Sequence, residues 1–141
     1  MLKELTIGGI AEETGCKIQT IRFYEEIGLL KPPARTEGNQ RRYGSDSVKR
    51  LQFIRHARDM GFAVDDIREL LRLAALPQEK CRTANEIAHR HLEGVRDRIK
   101  KLKKLEKELV RITDSCACQT VADCRVIEAL ADHGKCHLRQ H

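Results

Sequence analysis

Tryptophan is absent from this 141-residue chain, and three Phe and two Tyr supply its whole aromatic content of 4%. So few rings argue for a small, all-helical core built from aliphatic side chains. No apolar run approaches the ~20 residues that a membrane-spanning helix needs. The first residues also lack a basic stretch followed by an apolar one, the mark of a secretory leader. The expected location is therefore the cytoplasm, with no membrane partner. Missing too are a Gly-rich phosphate loop, a paired-carboxylate site and a Cys/His pair set in a pocketed fold. With no room for a deep cleft either, the chain is not expected to be an enzyme.

What the chain has in quantity is charge and cysteine. Charged residues make up 34% of it, the formal net charge is +6 and the pI is near 9.1. Between Arg35 and Arg58 there are seven Lys/Arg against two acids, Glu37 and Asp46. A local basic patch of this kind suits nucleic acid better than an evenly spread charge does. Six cysteines in a reducing compartment point to metal binding or redox chemistry, not to a disulfide framework.

Turn and cap residues divide the chain. Thr6 is a good N-cap for a helix carrying Ile7, Ile10 and Ala11, with Gly15 as its stop. A second helix is expected from about Lys17 to Ile27, ended by Gly28, with Ile18 and Ile21 inward. On that reading Thr20, Arg22 and Tyr24 lie on the polar side and Phe23 packs in the core. Pro32 and Pro33 forbid further helix. A basic hairpin turning at Gly38 and Asn39 then reads as a wing after a helix-turn-helix. Ser45 or Asp46 is expected to cap a third helix stopped at Gly61. A fourth, from Val64 to Leu73, has the poor cap Ala63. After Pro77 a long helix is predicted over residues 82–113. Leu92, Val95, Ile99 and Leu102 follow heptad spacing there, and Leu105, Leu109 and Ile112 continue it after a three-residue slip.

Cys81 and Cys116 stand at the two ends of that helix, 35 residues apart, or roughly 50 Å at ~1.5 Å per residue. No single chain closes a metal site over such a distance without folding the helix back. Two copies paired antiparallel would bring Cys81 of one to the 116–124 loop of the other. The spacing predicts a homodimer with a thiolate site at each end. Cys118 is an extra thiol in the same loop, a fourth ligand or a spectator. Cys16 reads as packing. His133, Cys136, His137 and His141 form a short tail, and His89 and His91 read as surface residues.

Several stretches together resemble the MerR transcription regulators: residues 20–25 (Thr-Ile-Arg-Phe-Tyr-Glu), Gly28-Leu29-Leu30, Arg35, Arg41-Arg42-Tyr43, residues 53–58 (Phe-Ile-Arg-His-Ala-Arg) and Gly61-Phe62. The likeness is to the heavy-metal branch of the family. It implies a mainly α fold: a winged helix-turn-helix DNA-binding domain, a long antiparallel coiled-coil dimerisation helix, and a C-terminal metal-binding loop with a short helix. The corresponding bounds are 1–76, 77–113 for the linker and dimerisation helix, 114–132, and a flexible His/Cys tail at 133–141. It further implies an activator of metal-resistance and efflux genes that binds promoter DNA as a dimer. Such a dimer distorts the DNA when metal binds and reaches RNA polymerase only through that DNA. Thr20, Arg22 and Tyr24 would face the DNA, and Arg35, Arg41, Arg42 and Tyr43 on the wing would grip flanking phosphates.

Cys116 and Cys124 match the family's two loop ligands. In copper(I)-sensing relatives those two suffice and Ser stands where Cys81 stands here. Charge agrees with the difference, since three thiolates leave −1 around a divalent ion but −2 around Cu(I). Cys81, Cys116 and Cys124 therefore imply a soft divalent ion: Cd, Zn, Hg or Pb. The loop His of zinc-type relatives is missing, which tells against zinc alone. The alternatives on the same scaffold are a thiol redox sensor, with Lys80 and Arg82 beside Cys81, and a Cu(I) sensor.

Overall fold

The computed structural model describes residues 4–33, 38, 42–115, 120–132 and 134. Its elements are α1 (Ile7–Thr14), α2 (Ile18–Glu26), α3 (Ser45–Asp59), α4 (Val64–Ala74), the long α5 (Arg82–Asp114), one 3-10 turn (Val121–Asp123) and α6 (Arg125–Ala131). They fall into two units, Met1–Ile87 and Ala88–His141. Among the described residues no helix is long and apolar enough to cross a membrane.

Glycine and threonine punctuate the first unit as its sequence suggests. The Thr6 hydroxyl accepts from the Gly9 amide at 3.0 Å, and Gly15 leaves α1 at φ 71°. A left-handed residue there costs glycine nothing, whereas any other residue would be strained. α3 departs from expectation. Gly44, in extended conformation, is its cap and Ser45 is already helical. Neither Ser45 nor Asp46 therefore caps it. The Gly44 carbonyl accepts from Val48 at 3.2 Å, and Asp46 sits in the first turn, where the helix dipole favours an anion.

Ile10 of α1, Ile21 of α2, Leu51 and Ile54 of α3 and Ile67 of α4 are all fully buried in one cluster. Each such side chain contributes about 1.5–3 kcal/mol by leaving water. Leu5 and Tyr43 form an antiparallel bridge, donating to each other's carbonyls at 2.8 and 2.7 Å. That bridge ties the start of the chain to the residue preceding Gly44.

Arginines close the helix ends. Arg55 donates to the Thr14 carbonyl, Arg68 to that of Ile27 at 2.8 Å, Arg50 to that of Leu29 at 2.8 Å and Arg58 to that of Phe62 at 2.9 Å. Thr14 and Ile27 stand at the ends of α1 and α2, whose last carbonyls lack intrahelical partners, so a guanidinium there satisfies an acceptor and complements the dipole together. Leu29 and Phe62 lie in the turns beyond α2 and α3. Three of the seven cations between Arg35 and Arg58 therefore brace the fold.

Within the second unit, α5 continues unbroken to Asp114. Leu92, Ile99, Leu102 and Leu109 are exposed at 40, 45, 63 and 52%. Ile112, expected on the same stripe, is instead buried by its own chain, as is Ala129 of α6. Glu108 is buried as well, its carboxylate held by Arg111 through two hydrogen bonds of 3.1 and 2.5 Å.

Candidate functional site

α2 is the element on which a helix-turn-helix reads DNA, so its faces decide what it can touch. Ile21 and Tyr24 are buried, whereas Gln19, Arg22, Phe23 and Glu26 are exposed and Thr20 is half-buried. The side chains of Thr20 and Arg22 make no hydrogen bond to any described residue.

Two aromatic assignments are corrected. Tyr24 follows Ile21 by three residues and shares its inward face, while Phe23, two residues on, is turned to solvent at 48% exposure. The rings meet at 5.9 Å between centroids, tilted by 50°. Burial raises the Tyr24 phenol above its ordinary value of 10.0, and the Arg58 guanidinium beside it offsets this in part. Tyr43 is also core. Its ring is fully buried and its hydroxyl donates to Glu25, a half-buried residue of α2. In an extended segment successive side chains alternate sides, and here the alternation turns Tyr43 in. Its neighbour Arg42 keeps a half-buried position. The pairing of Glu25 is not legible in the sequence because its partner lies 18 residues on.

Arg35 and Arg41 lie outside the described residues, as do Cys116, Cys118, His133, Cys136, His137 and His141. Cys81 is exposed and immediately precedes α5, its carbonyl accepting from Asn85 at 2.9 Å. The sulfur thus stands at the amide end of a 33-residue helix, where partial positive charge suits an anionic site. Cys124 is half-buried between the 3-10 turn and α6. Its amide donates to Val121 at 3.1 Å and its carbonyl accepts from Glu128 at 3.0 Å, which pins both sides of the thiol. Among the described residues no three His, Cys, Asp or Glu gather into a metal site. The donors themselves are thiols, which as thiolates prefer soft ions to Mg or Ca.

Comparison with known proteins completes the description. Residues 5–74 match the model of the MerR HTH family regulatory proteins, and residues 48–112 that of the MerR DNA-binding region. A mercuric resistance operon regulatory protein of Serratia marcescens is 38% identical over 92% of this chain and 89% of its own length. A homologue of the transcriptional regulator ZntR from Haemophilus influenzae is 34% identical over 78% and 82%. Among solved structures, a lead(II) complex of a transcription regulator from Ralstonia metallidurans is 39% identical. It superposes with a TM-score of 0.77 over 89% of this chain and 98% of its own. With a family model and close relatives spanning α1 to α5, the chain belongs to the MerR family of helix-turn-helix regulatory proteins.

Proposed function

We propose that this protein is a cytoplasmic, metal-responsive activator of transcription that works by binding, not by catalysis. A homodimer holds promoter DNA through α2 and the wing, with Thr20, Arg22, Arg35, Arg41 and Arg42 as the contacting side chains. A soft divalent ion (Cd, Zn, Hg or Pb) binds Cys81, Cys116 and Cys124, with Cys118 close by in sequence as a further donor. The bound ion leads the dimer to distort the DNA, and RNA polymerase is affected through that DNA.

The observation that carries this reading is family membership combined with thiol placement. The relatives are named for mercury resistance, for ZntR likeness and for a lead complex, and Cys81 and Cys124 each adjoin a helix start. The unbroken α5 supports assembly in trans, because 33 helical residues span about 50 Å. Its exposed Leu92, Ile99, Leu102 and Leu109 supply the apolar stripe that a partner helix would cover. Functionally the chain divides at 1–76 for DNA binding, 77–113 for linker and dimerisation, 114–132 for metal, and 133–141 for the tail.

The test is anaerobic titration of the dimer with each metal, following thiolate-to-metal absorption together with promoter output. Divalent ions should saturate at a fixed ratio to the dimer and raise transcription. Arg22→Ala should weaken promoter binding and flatten its dependence on salt by about one phosphate contact per half-site, with metal affinity unchanged. A protein that answers Cu(I) alone, or an Arg22→Ala variant that binds promoter normally, would overturn the assignment.

A further inference from the structure

We propose that Gln19 reads an adenine in the major groove of each operator half-site and sets the base preference of α2. The inference rests on the reading that α2 enters DNA and refines it.

The exposed side chains at and beyond the start of α2 are Lys17, Ile18, Gln19, Arg22, Phe23 and Glu26. Lys17 and Arg22 present donors only, which suit phosphate or the two acceptors of guanine, and Glu26 is an anion that phosphate repels. Ile18 and Phe23 carry no polar group. Gln19 alone in this set presents a donor and an acceptor side by side on one planar amide. In the major groove adenine offers the complementary pair, the N7 acceptor beside the N6 donor. Guanine offers two acceptors, cytosine a donor, and thymine an acceptor beside a methyl group, so none of them satisfies both ends of the amide.

Position agrees with chemistry. Gln19 is the second residue of α2, and the N-terminal residues of a recognition helix are those that contact base edges. Its amide makes no hydrogen bond to any described residue. Arg50, Arg55 and Arg68, by contrast, are each tied to a main-chain carbonyl. Gln19 is instead exposed, bordering an open hollow of about 340 Å³ shared with Thr20, Phe23 and Arg58.

The experiment selects binding sites from a pool of randomised duplexes with the full-length dimer at one fixed salt concentration. Wild type should enrich an adenine at one position per half-site, preferred roughly tenfold over other bases. Gln19→Ala should flatten that position and leave the others as they were. In the selected duplex, 7-deazaadenine at that position removes the N7 acceptor and keeps the pairing with thymine. It should lower wild-type affinity about fivefold per half-site, since one of the two bonds is lost, and leave Gln19→Ala unaffected. Identical base preferences in wild type and Gln19→Ala, or a deaza effect that persists in the variant, would overturn the inference. A wild type that enriches no duplex gives a different result, sinking the DNA-binding reading along with this one.

Discussion

Replacing Gly15 by Ala tests the turn between α1 and α2 most sharply, because two separable penalties meet there. The first is conformational: at φ 71° an L side chain is in the left-handed region, which costs roughly 1–2 kcal/mol. The second is steric, since a Cβ on Gly15 would run into the Arg55 guanidinium. That group donates to the Thr14 carbonyl at the end of α1. A hydrogen bond from a charged donor is worth about 1.5–3 kcal/mol, and Arg55 is 48% exposed, so water recovers part of the loss and the lower figure applies. The two together predict about 3 kcal/mol, a fall in urea midpoint of roughly 1.5 M for a slope near 2 kcal/mol per molar.

Gly28 supplies an internal control for the same reasoning. It has a similar φ of 76°, but a Cβ there would meet only Arg68, at 3.6 Å, an ordinary contact. Gly28→Ala should therefore cost the conformational part alone, about 1–2 kcal/mol. Likewise, in an Arg55→Ala background Gly15→Ala should shrink to that same value. The assay is urea denaturation of the full-length chain followed by circular dichroism at a single protein concentration, because association adds its own stability. Equal losses for Gly15→Ala in both backgrounds would refute the steric account.

Three further outcomes are expected. Tyr43→Phe removes the hydroxyl that donates to Glu25 and should destabilise by about 1.5 kcal/mol with promoter affinity unchanged; weakened DNA binding at undiminished stability would return Tyr43 to the interface. Gly94 lies inside α5, where an added methyl would meet no described residue within 4 Å, so Gly94→Ala should stabilise the helix by about 1 kcal/mol, and a melting temperature that falls instead would reveal a close approach at that point in the dimer. Chains carrying Cys81→Ser and chains carrying Cys116→Ser with Cys124→Ser should each bind divalent metal poorly alone, yet mixed dimers should recover one tight site per dimer; titration showing only the average of the parents would mean that each site forms within one chain.

Much of the fold was legible because local signals act over a few residues. Thr6, Gly15, Gly28 and Gly61 punctuate the chain where turn chemistry puts them, and the long helix ends one residue beyond its predicted bound. Three aromatic positions depart from expectation. Phe23 is expected in the core and Tyr24 on the polar side of α2, and the family resemblance puts Tyr43 on a phosphate-gripping wing. The helical period set by Ile21, and the main-chain bridge to Leu5, decide otherwise. Ser45 and Asp46 are both capping residue types, but Gly44 already holds the capping conformation.

The basic patch shows why composition alone stops short of a site. A run of arginines looks the same in sequence whether it faces phosphate or carbonyl, since both offer a guanidinium an oxygen acceptor. What separates the two uses is a partner distant along the chain: Arg55 finds the Thr14 carbonyl and Arg68 the Ile27 carbonyl, each 41 residues away, while Arg50 finds the Leu29 carbonyl 21 residues back. Only tertiary packing brings these together. The Arg22 side chain, exposed on α2, makes no hydrogen bond to any described residue. The metal site poses the same difficulty more severely. Its proposed ligands flank a 33-residue helix in the sequence, so their spacing along one chain does not by itself say how they would meet. Helix length therefore says more about that site than any spacing between neighbouring cysteines, and the mixed dimer is the experiment that measures it.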